Sequence, residues 1–121
     1  MKQVIADAQD IKKLVNIFYE KVNADPHLSP VFNREANIDW QNHLEKMYKF
    51  WGMQLIGTNA YMGNAFLPHT KLNIDKTHFE KWLQLFLETV DENFVGDIAD
   101  LAKYKAQNMA VVFQYKLKLI S

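Results

Sequence analysis

Cysteine is absent from the 121-residue chain, which removes disulfides, thiolate metal sites and cysteine nucleophiles together. Histidine, methionine, tyrosine and the carboxylates remain as possible metal ligands. Arginine is nearly absent too: among 14 basic residues only Arg34 is arginine, and 14 acidic residues cancel the charge. Proteins that grip phosphates cluster arginines for bidentate contact, and a net charge of zero creates no long-range field toward a polyanion. Neither nucleic acid nor an anionic membrane is an expected partner. No apolar run reaches the length needed to cross a bilayer, and Met1 to Asp10 carries neither a signal-peptide core nor a lipidation motif. The default location is cytoplasmic. Strict strand-like alternation, internal repeats and low-complexity tracts are missing as well.

What is present is helical periodicity, in a length that holds one domain over residues 1–121. Ile11, Leu14, Val15, Phe18 and Val22 make an apolar stripe on a first helix that ends before Pro26, because the residue preceding a proline disfavours helical torsions. Ser29-Pro30 reads as the start of a single short turn carrying Phe32. A long helix follows from about Trp40 to Ile56, capped by Asn37 or Asp39. Its apolar face holds Trp40, His43, Leu44, Met47, Phe50, Trp51, Gln54 and Leu55. Phe79, Trp82, Leu83, Phe86, Leu87, Val90 and Phe94 form the next stripe, on a helix beginning near Asp75 or Thr77; Thr77 with Glu80 fits a capping box. After Gly96-Asp97 a last helix is expected to turn Ile98, Leu101, Ala102, Ala106, Met109, Val112, Phe113, Leu117 and Ile120 inward. The fold class is therefore all-α.

Several side chains stand out against this frame, each with a plain reading beside a functional one. Tyr19 lies beside the first stripe and either caps a backbone carbonyl or offers its hydroxyl to a guest. His43 sits on an apolar face, where a lone histidine is most often a satisfied core residue. Lys46, at the edge of that face, either lies solvated on its stem or meets an acidic group at the mouth of a pocket. His69 follows Pro68 on a returning loop, so two histidines can face each other across an apolar slot. His27 falls in an exposed turn and has no assigned role, and His78 is expected to face water. Eight Phe, five Tyr and three Trp are a heavy aromatic load for so small a core and suit a flat, bulky guest.

The segments Ile17-Phe18-Tyr19-Glu20-Lys21-Val22, Val31-Phe32-Asn33, Trp40 through His43 to Phe50-Trp51, Pro68-His69 and His78 to Phe86 together resemble the third group of the truncated haemoglobins. The resemblance spans about Ile11 to Phe113, and the glycine-pair motifs of the other groups are missing. It implies a two-over-two helical sandwich around haem b (iron protoporphyrin IX), with His69 as the proximal axial ligand. It also implies Tyr19, His43 and Trp82 as distal polar residues and Phe32 packed on the porphyrin. Met47, Phe50, Trp51, Leu72, Phe79 and Phe86 would line the apolar walls, Lys46 would meet a haem propionate, and His78 would come near the haem edge.

The chemistry follows independently. Haem needs a neutral imidazole on one face, best held by a short, poorly helical segment such as Gly63 to His69. A bound diatomic ligand that draws negative charge is stabilised by hydroxyl, imidazole and indole donors. Each hydrogen bond to such a partner contributes about 1.5–3 kcal/mol, and about 1.4 kcal/mol is tenfold in affinity. A pocket with three donors therefore holds dioxygen rather than releasing it for bulk oxygen transport. The expected function is chemistry on dioxygen, nitric oxide or peroxide, with carbon monoxide as a further ligand; the alternative is a non-catalytic oxygen store or sensor. Nitric oxide turnover would need a separate reductase, since no flavin or nicotinamide site is visible. Two poorer readings are a helical interaction module that has lost haem, and a non-haem metal site of His43, His69 and His78, which no carboxylate–histidine spacing supports.

Overall fold

The computed structural model describes residues 2–35, 39–57 and 75–116, with the side chains of residues 34, 35 and 116 left aside. Four helices order the described residues: α1 (Ala8–Ala24), α2 (Trp40–Ile56), α3 (Lys76–Asn93) and α4 (Asp97–Lys116), with a π-helical turn at Val31–Glu35 between the first two. Each boundary has a local cause. Asp7 starts α1 by accepting from the backbone N–H groups of Gln9 and Asp10, while the Asp10 side chain returns to the backbone before it, a capping box. Asp25 ends it in an extended conformation, one residue before Pro26. Asp39 caps α2 through Asn42 N–H, and Gly57 closes it at φ 67°, a left-handed angle that glycine adopts without strain.

At α3 the cap is Asp75 rather than Thr77. Its carboxylate accepts from Thr77 N–H, and His78, at the third helical position, accepts from the Asp75 N–H. The imidazole takes the place that Glu or Gln holds in the usual capping box. His78 consequently does not face water, as its position beside Thr77 predicts, but is half-buried.

Packing runs within two pairs, α1 with α2 and α3 with α4, and across them, α1 on α3 and α2 on α4. This closes the two-over-two arrangement. The α1 stripe is buried as predicted, with Leu14 and Val22 wholly enclosed. Along the α3 stripe Phe79, Phe86, Val90 and Phe94 are buried as predicted, but Trp82, Leu83 and Leu87 are half-buried and the face turns instead through Leu85 and Thr89. On α4 the predicted face is displaced. Ala99, Ala102, Ala106 and Ala110 are buried, Ile98, Leu101 and Met109 pack at the margin, and Val112 is 45% exposed. Leu117 and Ile120 lie outside the described residues. Small side chains let helix backbones approach most closely, so the alanine ridge faces the neighbouring helices and the larger residues are moved to its flanks. The N-terminal segment is pinned to the end of α3, with Gln3 N–H donating to Asn93 C=O at 3.1 Å and Val95 N–H to Gln3 C=O at 2.9 Å.

Ion pairs tie the surface without directing it. Lys21 on α1 meets Glu92 on α3, and Lys103 on α4 meets Asp91 at 2.8 Å. Exposed pairs of this kind contribute about 0–1 kcal/mol each. The aromatic and aliphatic interior carries the fold.

Candidate functional site

The layering brings α1 and the π-helical turn against the start of α2, and four aromatic rings meet there. Tyr19 lies with its centroid 5.1 Å from His43, 5.5 Å from Trp40 and 6.0 Å from Phe32, each contact edge-to-face. Phe32 in turn lies 5.9 Å from Trp40 and 6.2 Å from His43. Edge-to-face contacts fix ring orientation as well as position, because the positive rim of one ring sits on the negative face of the next. Tyr19 and His43 thus share one small aromatic frame.

The polar tips of that frame are unusual for a core. Tyr19 is 6% exposed, and burial pushes its phenol well above the ordinary tyrosine range, so the hydroxyl stays protonated and remains a donor. Among the described residues no hydrogen-bond partner takes that proton. The Nε2 atom of His43 is enclosed beside it.

Trp40 was legible as part of the α2 face but not as a member of this group. Its indole N–H donates to the Asn33 side-chain carbonyl at 2.8 Å, and the Asn33 amide reaches Asn23 and Ser29. The signal available in sequence is its place one turn before His43 on the same face. A cleft of about 240 Å³ opens beside Trp40, lined by Asn16, Tyr19, Glu20, Asn23, Trp40 and Leu44. This is below the roughly 300 Å³ of ordinary small-molecule pockets.

Trp82 belongs to a different group. Its ring lies 5.7 Å from Phe18 and 5.8 Å from Phe86, and Phe86 stacks on Trp51 at 4.7 Å. Among the described residues its ring touches neither Tyr19 nor His43; Phe18, 4.8 Å from Tyr19, lies against both Tyr19 and Trp82. Phe50 and Phe79 are buried, Met47 is half-buried and Lys46 is exposed on α2. His69 and Leu72 lie outside the described residues.

Sequence reasoning left His27 without a role. Its ring stacks on His78 with centroids 4.0 Å apart and 8° between the planes. No local pattern announces that contact, because the two residues sit on elements far apart in the chain.

The sequence pattern of the bacterial-like globin family matches residues 3–114. The chain is 33% identical to the Group 3 truncated hemoglobin ctb of Campylobacter jejuni, with 97% of this chain and 95% of that protein aligned. It also superposes on the crystal structure of the group III truncated hemoglobin from Campylobacter jejuni with a TM-score of 0.86 at 34% identity, covering 97% of this chain and 95% of that one. Among the described residues no helix is long and apolar enough to cross a membrane. With the family pattern over nearly its whole length and the two-over-two helical layers in common, the chain belongs to the bacterial-like globins, among the truncated haemoglobins of group III.

Proposed function

We propose that this globin binds haem b and holds dioxygen tightly at a polar distal site, for chemistry on small oxidants rather than for transport. Globins bind haem and small gaseous ligands; the tight hold and the oxidant chemistry are the reading offered here. The observation that carries it is Tyr19: a buried, protonated phenol, edge-on to His43 and Phe32, with its proton uncommitted among the described residues. A hydroxyl in an apolar site costs free energy unless something accepts its hydrogen bond. The donor set therefore fits a guest that brings an acceptor, and the aromatic walls fit a flat apolar body.

In this reading His69 would hold the iron, Phe32 and the apolar residues Met47, Phe50, Trp51, Leu72, Phe79 and Phe86 would enclose the macrocycle, and Lys46 would meet a propionate. Haem, when bound, supplies the iron at which a diatomic ligand is held and oxidised or reduced. The protein's own part is to exclude water and aim donors. Tyr19 donates its hydroxyl proton into a hydrogen bond with the guest's outer atom, His43 adds a second polar contact from α2, and Trp82 contributes an indole N–H from α3. A hydrogen bond to a charge-bearing acceptor contributes about 1.5–3 kcal/mol, so release is slowed roughly tenfold to a hundredfold per donor. Strong polarisation of this kind favours conversion of nitric oxide or peroxide, with electrons delivered by a separate reductase.

The test is an absorption spectrum of the purified protein, ferric and then reduced under carbon monoxide, beside His69→Ala, followed by nitric oxide and peroxide turnover with an added reductant. A Soret band that shifts with carbon monoxide and is altered in His69→Ala, with sustained turnover, supports the proposal. A haem protein that binds oxygen but consumes neither oxidant is a store or sensor. A colourless protein that takes up no added haemin overturns the reading altogether.

A further inference from the structure

The two histidines outside the distal frame meet a carboxylate at the start of α3. One ligand atom from each of His27, Asp75 and His78 lies within 4.8 Å of the others. We infer that His27, Asp75 and His78 form a second metal site, for a borderline divalent cation of the first transition row such as Zn²⁺.

The hydrogen bonds around the cluster assign its lone pairs. His78 Nδ1 accepts from the Asp75 backbone N–H at 3.0 Å, so that nitrogen carries no proton. Yet it lies 3.2 Å from Asp75 Oδ1, a carboxylate oxygen that accepts from both the N–H and the hydroxyl of Thr77. Two acceptors facing each other at that distance repel, and a cation between them removes the repulsion. The separation is also close to the edge of a zinc tetrahedron, about 3.4 Å for bonds of about 2.1 Å. Thr77 gives its one hydroxyl proton to Asp75, so its oxygen accepts from His27 Nε2–H at 2.8 Å. That leaves Nδ1 of His27 with its lone pair.

The cluster is held from behind rather than assembled by chance at a surface. Asp25, buried at the end of α1, accepts from the N–H groups of His27 and Leu28 at 3.0 and 2.9 Å and lies 3.6 Å from Lys81 on α3. These contacts fix the His27 backbone opposite His78; imidazole lone pairs lie in the ring planes, so the near-parallel stack of the two rings opens when both nitrogens reach one ion. Closing from at most 4.8 Å to a tetrahedral edge of about 3.4 Å needs a movement of up to about 1.4 Å with a turn of the ring out of the stack, which the exposed His27 ring supplies by exchanging its bond to Thr77. Two nitrogens and one carboxylate favour Zn²⁺, Ni²⁺ or Cu²⁺ over Mg²⁺ or Ca²⁺, which require oxygen. Three protein ligands leave the fourth position to water. The Asp75 charge offsets the positive end of α3, which would otherwise oppose a cation there.

A cation so held clasps the turn after α1 to the first turn of α3, which joins the helix carrying Tyr19 to the helix carrying Trp82 and Phe86. The site does not depend on the haem reading. Zinc chloride titrated by calorimetry into the purified full chain, with its haem where it carries one, tests it, with His27→Ala and Asp75→Asn alongside. One equivalent per chain is expected, with affinity reduced tenfold or more in each variant and an unchanged Soret band in His27→Ala. His27 is exposed and its substitution spares the helix cap, so His27→Ala is decisive even where Asp75→Asn weakens the fold. Absence of binding at about 1 mM zinc, a range that marks only weak association, overturns the proposal, as does undiminished affinity in His27→Ala.

Discussion

The two aromatic groups of this small core share Phe and Trp but are arranged in opposite ways. Trp51, Phe86 and Trp82 lie nearly parallel, with 21° and 16° between successive planes, and Trp51 and Phe86 are almost entirely enclosed. Tyr19, Phe32, Trp40 and His43 include edge-on contacts near 84° and 87°, carry heteroatoms on three of their four rings, and border a cleft. Stacked hydrocarbon faces maximise the area removed from water. Edge-on rings with polar tips give up part of that area and gain fixed orientation for donors. Phe86, at the centre of the first group, should therefore weigh chiefly on stability and Tyr19, in the second, on ligand behaviour, while Trp82 sits in the stack and also carries the proposed third donor; substitutions at Phe86 and Tyr19 can separate the two effects.

The largest effect is expected at Phe86, wholly buried between Trp51, Trp82 and Phe18. Phe86→Ala should lower the unfolding free energy by about 3–5 kcal/mol, since the vacated volume is walled by rigid rings that cannot collapse into it. Urea unfolding followed by far-ultraviolet circular dichroism reads this directly. A loss below about 1 kcal/mol would mean that the stack is not the centre of the core.

Tyr19→Phe should invert the pattern. The ring and its edge-on contacts remain and only the hydroxyl goes, so stability should change by no more than about 1 kcal/mol. Oxygen release from the haem-loaded protein should nevertheless quicken by about tenfold to a hundredfold. Stopped-flow displacement by carbon monoxide measures the rate. Equal release rates in the two proteins would remove Tyr19 from the ligand site and erase the functional half of the contrast.

The same hydroxyl makes a prediction in pH. Burial raises its pKa above the unfolded value, so its contribution to stability is complete below about pH 10, where the phenol is protonated in both states. As pH rises further the unfolded chain releases that proton while the folded chain keeps it, and stability falls. Tyr19→Phe lacks this term. Above pH 10 its unfolding free energy should therefore decline less steeply than that of the parent, measured by urea titration at successive pH values; parallel slopes would place the phenol in contact with solvent.

How far these groups were readable in advance depends on distance along the chain. The stripes of α1, α2 and α3 follow from local periodicity, and Asp39 and Pro26 mark ends through their own torsions and hydrogen bonds. Tyr19 and His43 stood out because a polar tip on an apolar stripe is visible within one helical turn, whereas Trp82 reads locally as core and gained its distal role from the family resemblance alone. Val112 misled because periodicity weights large residues, whereas the α4 seam is set by how closely four alanines let backbones approach. Asp75 displaced Thr77 as cap because an imidazole at the third position answered it, a variant that the usual Glu or Gln pattern does not include. His27 was silent because its meaning comes from α3: its Nε2 finds Thr77 fifty positions away.

The smallest effect is expected at Asn33, which lies between the two regimes. Its amide donates to Asn23 and Ser29 while its carbonyl accepts from the Trp40 indole, so one exposed side chain links the end of α1, the π-helical turn and the start of α2. Each bond is open to water, which replaces a lost partner at little cost, so Asn33→Ala should reduce stability by only about 0.5–1.5 kcal/mol. Asn33→Asp keeps an acceptor for Trp40 and removes the donors. Urea unfolding of the pair then apportions the effect: a full loss in Asn33→Ala with little in Asn33→Asp assigns it to the indole bond, and equal losses assign it to the contacts with α1. A loss in Asn33→Ala as large as that in Phe86→Ala would show that orientation and area are not separable in this core, because a polar link at its edge would then carry as much of the fold as the stacked rings within it.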